Sequence, residues 1–242
     1  MKLLIACPLC VPQGTADTEA FKTVQLRQDG LYEVNCLQGH KSIFCMRNPN
    51  FEMLFQSGLW ALIDGYPREA VSSIAAALER FYEFYLEVIA LKHSVNDSEL
   101  KQAWKIASKQ SERQLGAFLF LYLFENHRAV DFSAVNKTVE FRNKVIHQGN
   151  IATQDEVIKY GETVLDFIFT VLNELLSTSE SVVDAVIEKQ VEEKLANVTE
   201  DIQLVHYTVS TVINITSGVP PLQKRSFGEA VERLLRDRQH YP

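Results

Sequence analysis

Four cysteines fall within the first 45 residues and none after them. Cys7-Pro8-Leu9-Cys10 puts two thiols on one tight turn, and after 25 intervening residues Cys36-Leu37-Gln38-Gly39-His40 offers a thiol and an imidazole on another. Cys-x2-Cys and Cys-x3-His on two rigid turns are what a closed, four-ligand zinc site requires. A disulfide framework spread through the chain would have placed cysteines elsewhere as well, so the pattern predicts a local metal module in a reducing compartment. Cys45 competes with His40 for the fourth position; the compact 36/40 pair favours His40. A module of about 45 residues has too little core to fold unaided, which makes the expected zinc structural. A catalytic zinc would need an open position, and nothing in the sequence demands one.

The segment between the two turns alternates in hydrophobicity. Phe21–Leu26 and Leu31–Cys36 flank Asp29-Gly30, a hairpin turn signal, and a third short strand is expected over Lys41–Met46. Asn48-Pro49-Asn50 then breaks the chain. The expected organisation is a zinc-ribbon-like module over 1–48, a helical bundle over 51–178, and a C-terminal helical extension over 179–242.

From Phe51 the period becomes helical. Pro67 sits at a first-turn position, and Val71, Ile74, Leu78, Phe81, Tyr85, Val88 and Ile89 form an apolar stripe at steps of three and four, predicting a helix over 67–91. A further helix is expected over 98–126 and a shorter one over 134–147, stopped by Gly149. Thr153-Gln154-Asp155-Glu156 is a capping box that starts the next, which runs to about Leu176. The tail is acidic and helical to about Ala196, β-branched over 205–215, and ends in a basic helix near 226–238.

Charge narrows the partners. The chain carries −7 overall, with +1 over 1–50 and +2 over 220–242 against −5 over each of 51–178 and 179–219. That argues against a protein that coats nucleic acid non-specifically and leaves room for a local basic site. The ten-residue apolar run Leu115–Phe124 falls well short of the ~18 residues expected of a membrane span. The opening Met1–Cys7 has too short an apolar core for a signal sequence. A cytoplasmic protein with no membrane partner is expected.

The chemistry outside the cysteines concentrates in Glu140-Phe141-Arg142-Asn143-Lys144-Val145-Ile146-His147-Gln148-Gly149. Arg142 offers a planar, permanently charged fork for a phosphate, Asn143 an amide, and His147 a proton carrier near neutral pH. Five residues of ideal helix turn through about 500°, so Arg142 and His147 point about 140° apart. They share a site only if the helix frays before Gly149 or a symmetric dimer brings two copies into one groove. The structural alternative pairs Arg142 with an acid such as Glu140 and lets His147 bond the last carbonyls of its helix.

Arg142-Asn143-Lys144-Val145-Ile146-His147 resembles the Arg-x4-6-His signature of HEPN domains, including the polar residue straight after the arginine. The helical pattern over 51–178 is similar to that all-α bundle of four to five helices. The resemblance implies a mainly α fold and a homodimer with the motif doubled at its interface. It further implies a metal-independent endoribonuclease that leaves a 2′,3′-cyclic phosphate, with Arg142, Asn143 and His147 catalytic. Members of this kind act in toxin–antitoxin, abortive-infection or antiphage systems, which implies RNA as substrate and an antitoxin or trigger protein as partner. Other members bind without turnover, and a non-catalytic helical dimer that binds RNA, a nucleotide or a protein is the alternative. Elsewhere, His93, His127, His206 and His240 are isolated, Glu79 and Glu83 read as the solvated side of an amphipathic helix, and Trp60 and Trp104 read as core.

Overall fold

The computed structural model describes residues 2–10, 21–198, 202–216, 222 and 226–240. Among them are seven helices and five short strands, so the chain is mainly α with a small antiparallel hairpin region at the N-terminus. It divides into two compact units, Met1–Asn48 with Ile187–Ser210, and Pro49–Val186 with Thr211–Pro242. The segment 179–242, expected as one helical extension, contributes to both.

In the first unit β1 (Lys2–Ala6) pairs antiparallel with β2 (Phe21–Gln25), and β3 (Leu31–Asn35) pairs antiparallel with β4 (Lys41–Met46). The hairpin expected across Asp29-Gly30 is therefore corrected, because β2 and β3 belong to different sheets. Leu3 and Ile5 alternate with exposed Lys2 and Leu4 and give β2 its partner, while the short Cys36–His40 connection closes β3 onto β4. The turn itself forms, with Asp29 Oδ1 accepting the Leu31 amide at 3.2 Å. A strand in the tail, β5 (Gln203–Tyr207), joins β4 in parallel. Asn48 clamps the backbone just beyond it, donating to the Val209 carbonyl at 2.9 Å and accepting from the Val209 amide at 2.7 Å.

The second unit is built on α1 (Asn50–Ile63) and α2 (Pro67–Lys92). The predicted stripe of α2 is buried from Val71 to Ile89, and each such side chain stabilises the fold by about 1.5–3 kcal/mol before entropy is counted. The single helix expected over 98–126 is two, α3 (Asp97–Ala107) and α4 (Ser111–Asn126). The break is held by buried Gln114, which donates to the Ser108 carbonyl at 3.0 Å and accepts from Arg80 at 2.8 Å. Phe118 of α4 is fully buried against Phe81, Tyr82, Tyr85, Tyr122 and Phe167, fixing α4 to its neighbours.

Helix α5 (Ser133–His147) ends where expected: Gly149 takes φ +75°, a region that costs glycine nothing, and the amides of Gln148 and Asn150 both fall on the Lys144 carbonyl. The capping box then forms as read, the Thr153 amide donating to Glu156 at 2.8 Å and the Glu156 amide to Thr153 Oγ1 at 3.3 Å. It opens α6 (Gln154–Leu195), whose backbone is non-helical at Ser179, near the expected end of the first segment. The residues after Thr211 return to α1, where buried Glu52 accepts from Thr211 Oγ1 at 3.2 Å and from the Ile215 amide. Phe227, opening α7 (Phe227–His240), packs edge-on against Phe55 and lies so close to Gly161 that a Cβ there would come within 2.5 Å of its ring.

Candidate functional site

The four ligands predicted for a metal converge. Cys7, Cys10, Cys36 and His40 bring one ligand atom each to within 4.8 Å of all the others. Local turns aim them: the Cys10 amide donates to the Cys7 carbonyl, the Gly39 amide to the Cys36 carbonyl, and the Cys36 amide to the His40 carbonyl. The cluster sits where the first residues after β1 meet the β3–β4 connection.

The geometry fits a zinc ion. With Zn–S of about 2.3 Å and Zn–N of about 2.0–2.1 Å, a tetrahedron requires S···S near about 3.8 Å and S···N near about 3.5 Å. Cys10 and Cys36 Sγ are 3.8 Å apart, and His40 Nδ1 lies 3.7, 3.5 and 3.4 Å from the sulfurs of Cys7, Cys10 and Cys36. A disulfide would need the sulfurs at about 2.05 Å. Cys45 is fully buried on β4, opposite Leu31, and takes no part in the cluster. Burial together with the neighbouring thiols pushes Cys10 up to about 11. At Cys36 burial acts upward too, but hydrogen bonds from the backbone amides of His40 and Gln38 and from the Cys10 and Cys7 thiols together bring the thiol down to about 7.

The second constellation lies in the helical unit, on an open cleft of about 610 Å³, solvent at its mouth included. Arg142 and Asn143 line it from α5, Glu79 and Tyr82 from α2, and Tyr160 from α6. Arg142 Nη2 donates to Glu79 Oε1 at 3.2 Å, and its Nη1 donates to Asn143 Oδ1 at 3.1 Å. The arginine thus pairs with Glu79, 63 residues upstream, while Glu140 is taken by Lys144 at 2.7 Å. Desolvation raises the Glu79 carboxyl above its usual range, and neighbouring Arg142 and Arg80 do not fully offset it.

His147 is not in this cleft. It is the last residue of α5, exposed, and its imidazole makes no hydrogen bond to any described residue. The helix does not fray before Gly149; it stays regular to His147, and Arg68 of α2 holds its last turn through the Ile146 carbonyl at 3.2 Å. Within one chain Arg142 and Asn143 come together and His147 stands apart, as the helical spacing requires.

Glu79, Tyr82 and Tyr160 were missed in the sequence. The amphipathic pattern puts Glu79 on the solvated helix face, yet only about a quarter of its side chain is exposed. The signal that could have raised it is its position one step from the buried stripe at Leu78, where an acid on a half-covered face needs a partner.

No family model, curated protein or solved structure matches the chain. Among the described residues, no helix is long and apolar enough to cross a membrane.

Proposed function

We propose that the helical unit is a metal-independent endoribonuclease of the HEPN type that works as a homodimer. The observation that carries this reading is the adjacent guanidinium and amide of Arg142 and Asn143 on an open cleft, with an unengaged His147 exposed on the same helix. Because one chain keeps His147 out of the cleft, the reaction needs a symmetric pair of α5 helices, in which His147 of the partner subunit reaches Arg142.

In such a site Arg142 holds the scissile phosphate and offsets its developing charge, using N–H groups beyond the two already given to Glu79 and Asn143. Asn143 orients a phosphate oxygen. One imidazole takes the proton of the ribose 2′-hydroxyl as O2′ bonds to phosphorus, and an imidazolium protonates the departing O5′. The products are a 2′,3′-cyclic phosphate and a free 5′-hydroxyl.

The first unit completes the reading as a structural zinc module that recognises substrate, partner or trigger. Resemblance to HEPN effectors extends the proposal to a cytoplasmic toxin or phage-defence role, with an antitoxin or trigger protein as regulator. The ion pair between Arg142 and Glu79 favours a second reading, in which the unit binds RNA, a nucleotide or a protein without turnover.

The test compares wild type and His147→Ala on end-labelled RNA in EDTA, with folding followed in the same samples. Cleavage that leaves cyclic-phosphate ends and disappears in the variant supports the enzyme. Binding without cleavage supports the second reading.

A further inference from the structure

The cleft beside Arg142 contains more polar chemistry than the cleavage step uses. Tyr82 and Tyr160 both line it, at 3% and 4% exposure. Neither hydroxyl has a hydrogen-bond partner among the described residues, and because no buried side-chain oxygen there lacks one, both hydroxyl tips reach the solvent of the cleft while their rings are buried. Glu79 has one hydrogen bond, from Arg142 to Oε1, which leaves Oε2 open to the same space. Both tyrosines are close enough to Glu79 to feel its charge. Two hydroxyls at the ends of buried rings and one carboxylate oxygen therefore open on one cleft without protein partners, an arrangement whose solvent a polar ligand replaces.

The charge balance defines that ligand. Glu112 also lines the cleft, so two carboxylates face the one guanidinium that lines it, while Arg80, which also acts on Glu79, lies outside the lining and is paired with Glu83 at 2.9 Å. A phosphate inside would be repelled and stays at the mouth, within reach of Arg142. What suits the interior is a flat, neutral group that slides between apolar walls, gives N–H groups to Glu79 and accepts from hydroxyls and from Arg142 or Asn143. Among the four RNA bases only guanine presents two adjacent N–H donors, N1–H and N2–H, beside an acceptor, O6. Adenine and cytosine set a ring-nitrogen lone pair next to their amino group, which a carboxylate repels. Uracil has a single N–H between two carbonyls.

We infer that this cleft is a guanine-binding site in which Glu79 takes the N1–H and N2–H edge and Tyr82, Tyr160 and Arg142 serve the acceptors. The inference deepens the nuclease reading and rests on it for the source of the base, a guanosine next to the cleaved phosphate. A free guanine nucleotide presents the same edge.

Calorimetric titration of the full-length protein with the 5′-monophosphates of guanosine, adenosine, cytidine and uridine tests it directly. Guanosine monophosphate is expected to bind roughly ten- to a hundredfold more tightly than the others, the discrimination of a bidentate hydrogen-bonded pair. Glu79→Gln should abolish the preference, and its fold is checked by circular dichroism. Val139→Trp fills the cleft from an exposed position on its rim without altering a polar group, and should abolish binding itself. Equal affinity for the four nucleotides, or guanosine monophosphate affinity unchanged in both variants, overturns the inference. Short 2′-deoxy-blocked RNAs with one guanosine, compared with their adenosine counterparts, separate the sources: tighter binding of the guanosine oligomer assigns the site to RNA, and a preference confined to the mononucleotide assigns it to a free ligand. Guanine preference without cleavage of unblocked RNA sinks the nuclease reading and keeps this one. Cleavage that ignores the neighbouring base does the reverse.

Discussion

Arg142 Nη2 lies 3.2 Å from Glu79 Oε1, joining the middle of α5 to α2 across the mouth of the cleft. Both side chains are about a quarter exposed, so the pair is partly shielded from solvent. It aims the guanidinium while leaving several of its N–H groups for a ligand.

Replacing His147 and replacing Arg142 should both remove activity but differ in their effect on stability. His147→Ala is expected to lower the rate of RNA cleavage by about a hundredfold or more, as loss of a general acid–base group does, with an unchanged melting temperature because the His147 side chain is exposed at a helix end. Arg142→Ala should also remove activity, but at a measurable cost in stability, since it leaves Glu79 half-buried without its partner. Initial rates and thermal melts on the same preparations check both.

Metal analysis of the purified protein should find one zinc per chain. Cys36→Ser and His40→Ala are expected to lose it, and Cys45→Ala to keep it, because Cys45 lies outside the cluster. Binding requires thiolates, so metal should be released as pH falls, and a chelator should melt the first unit. Mass spectrometry of the native protein across a pH series reads both effects.

Phe118→Ala should cost about 3–5 kcal/mol, the usual penalty for emptying a buried aromatic site. Five aromatic rings surround it, and none can close the void without leaving its own partners. Urea melts of the variant and of Phe118→Leu, which should lose less, measure it.

Glu125 receives His93 Nε2 and Lys92 Nζ, each at 2.7 Å, and these bonds hold its carboxyl below the usual range, His93 contributing most. Because the folded state binds the proton less readily, this stabilisation is present above the unfolded carboxylate's titration and is lost as pH falls through the lowered folded value. Glu125→Gln should therefore cost about 1 kcal/mol near neutrality and nothing once both states are protonated. Urea melts between neutral pH and about pH 3 give the difference.

What the sequence disclosed followed the range of the interactions involved. Each of the ligand pairs Cys7/Cys10 and Cys36/His40, the Pro67 start, the Gly149 stop and the Thr153–Glu156 box is decided within a few residues, and each is found where the spacing puts it. The Asp29-Gly30 turn was also legible, but its strands were not, since a turn does not choose between two available partners on either side. The parallel pairing of β4 with β5 joins residues far apart in the chain and has no local mark. The same holds for the cleft. Arg142 and Asn143 carry a recognisable pattern, whereas Glu79, Tyr82 and Tyr160 become neighbours only when α2, α5 and α6 pack.

The parallel strand has a consequence for biosynthesis. Cys7, Cys10, Cys36 and His40 leave the ribosome early, but Gln203–Tyr207, which completes the sheet beside them, is translated only after every helix from Asn50 to Leu195. The cysteine-bearing lobe is begun first and finished nearly last. Nascent chains arrested near residue 100 would carry all the thiols yet lack the edge that covers β4, and would stay open to proteolysis until the tail arrives.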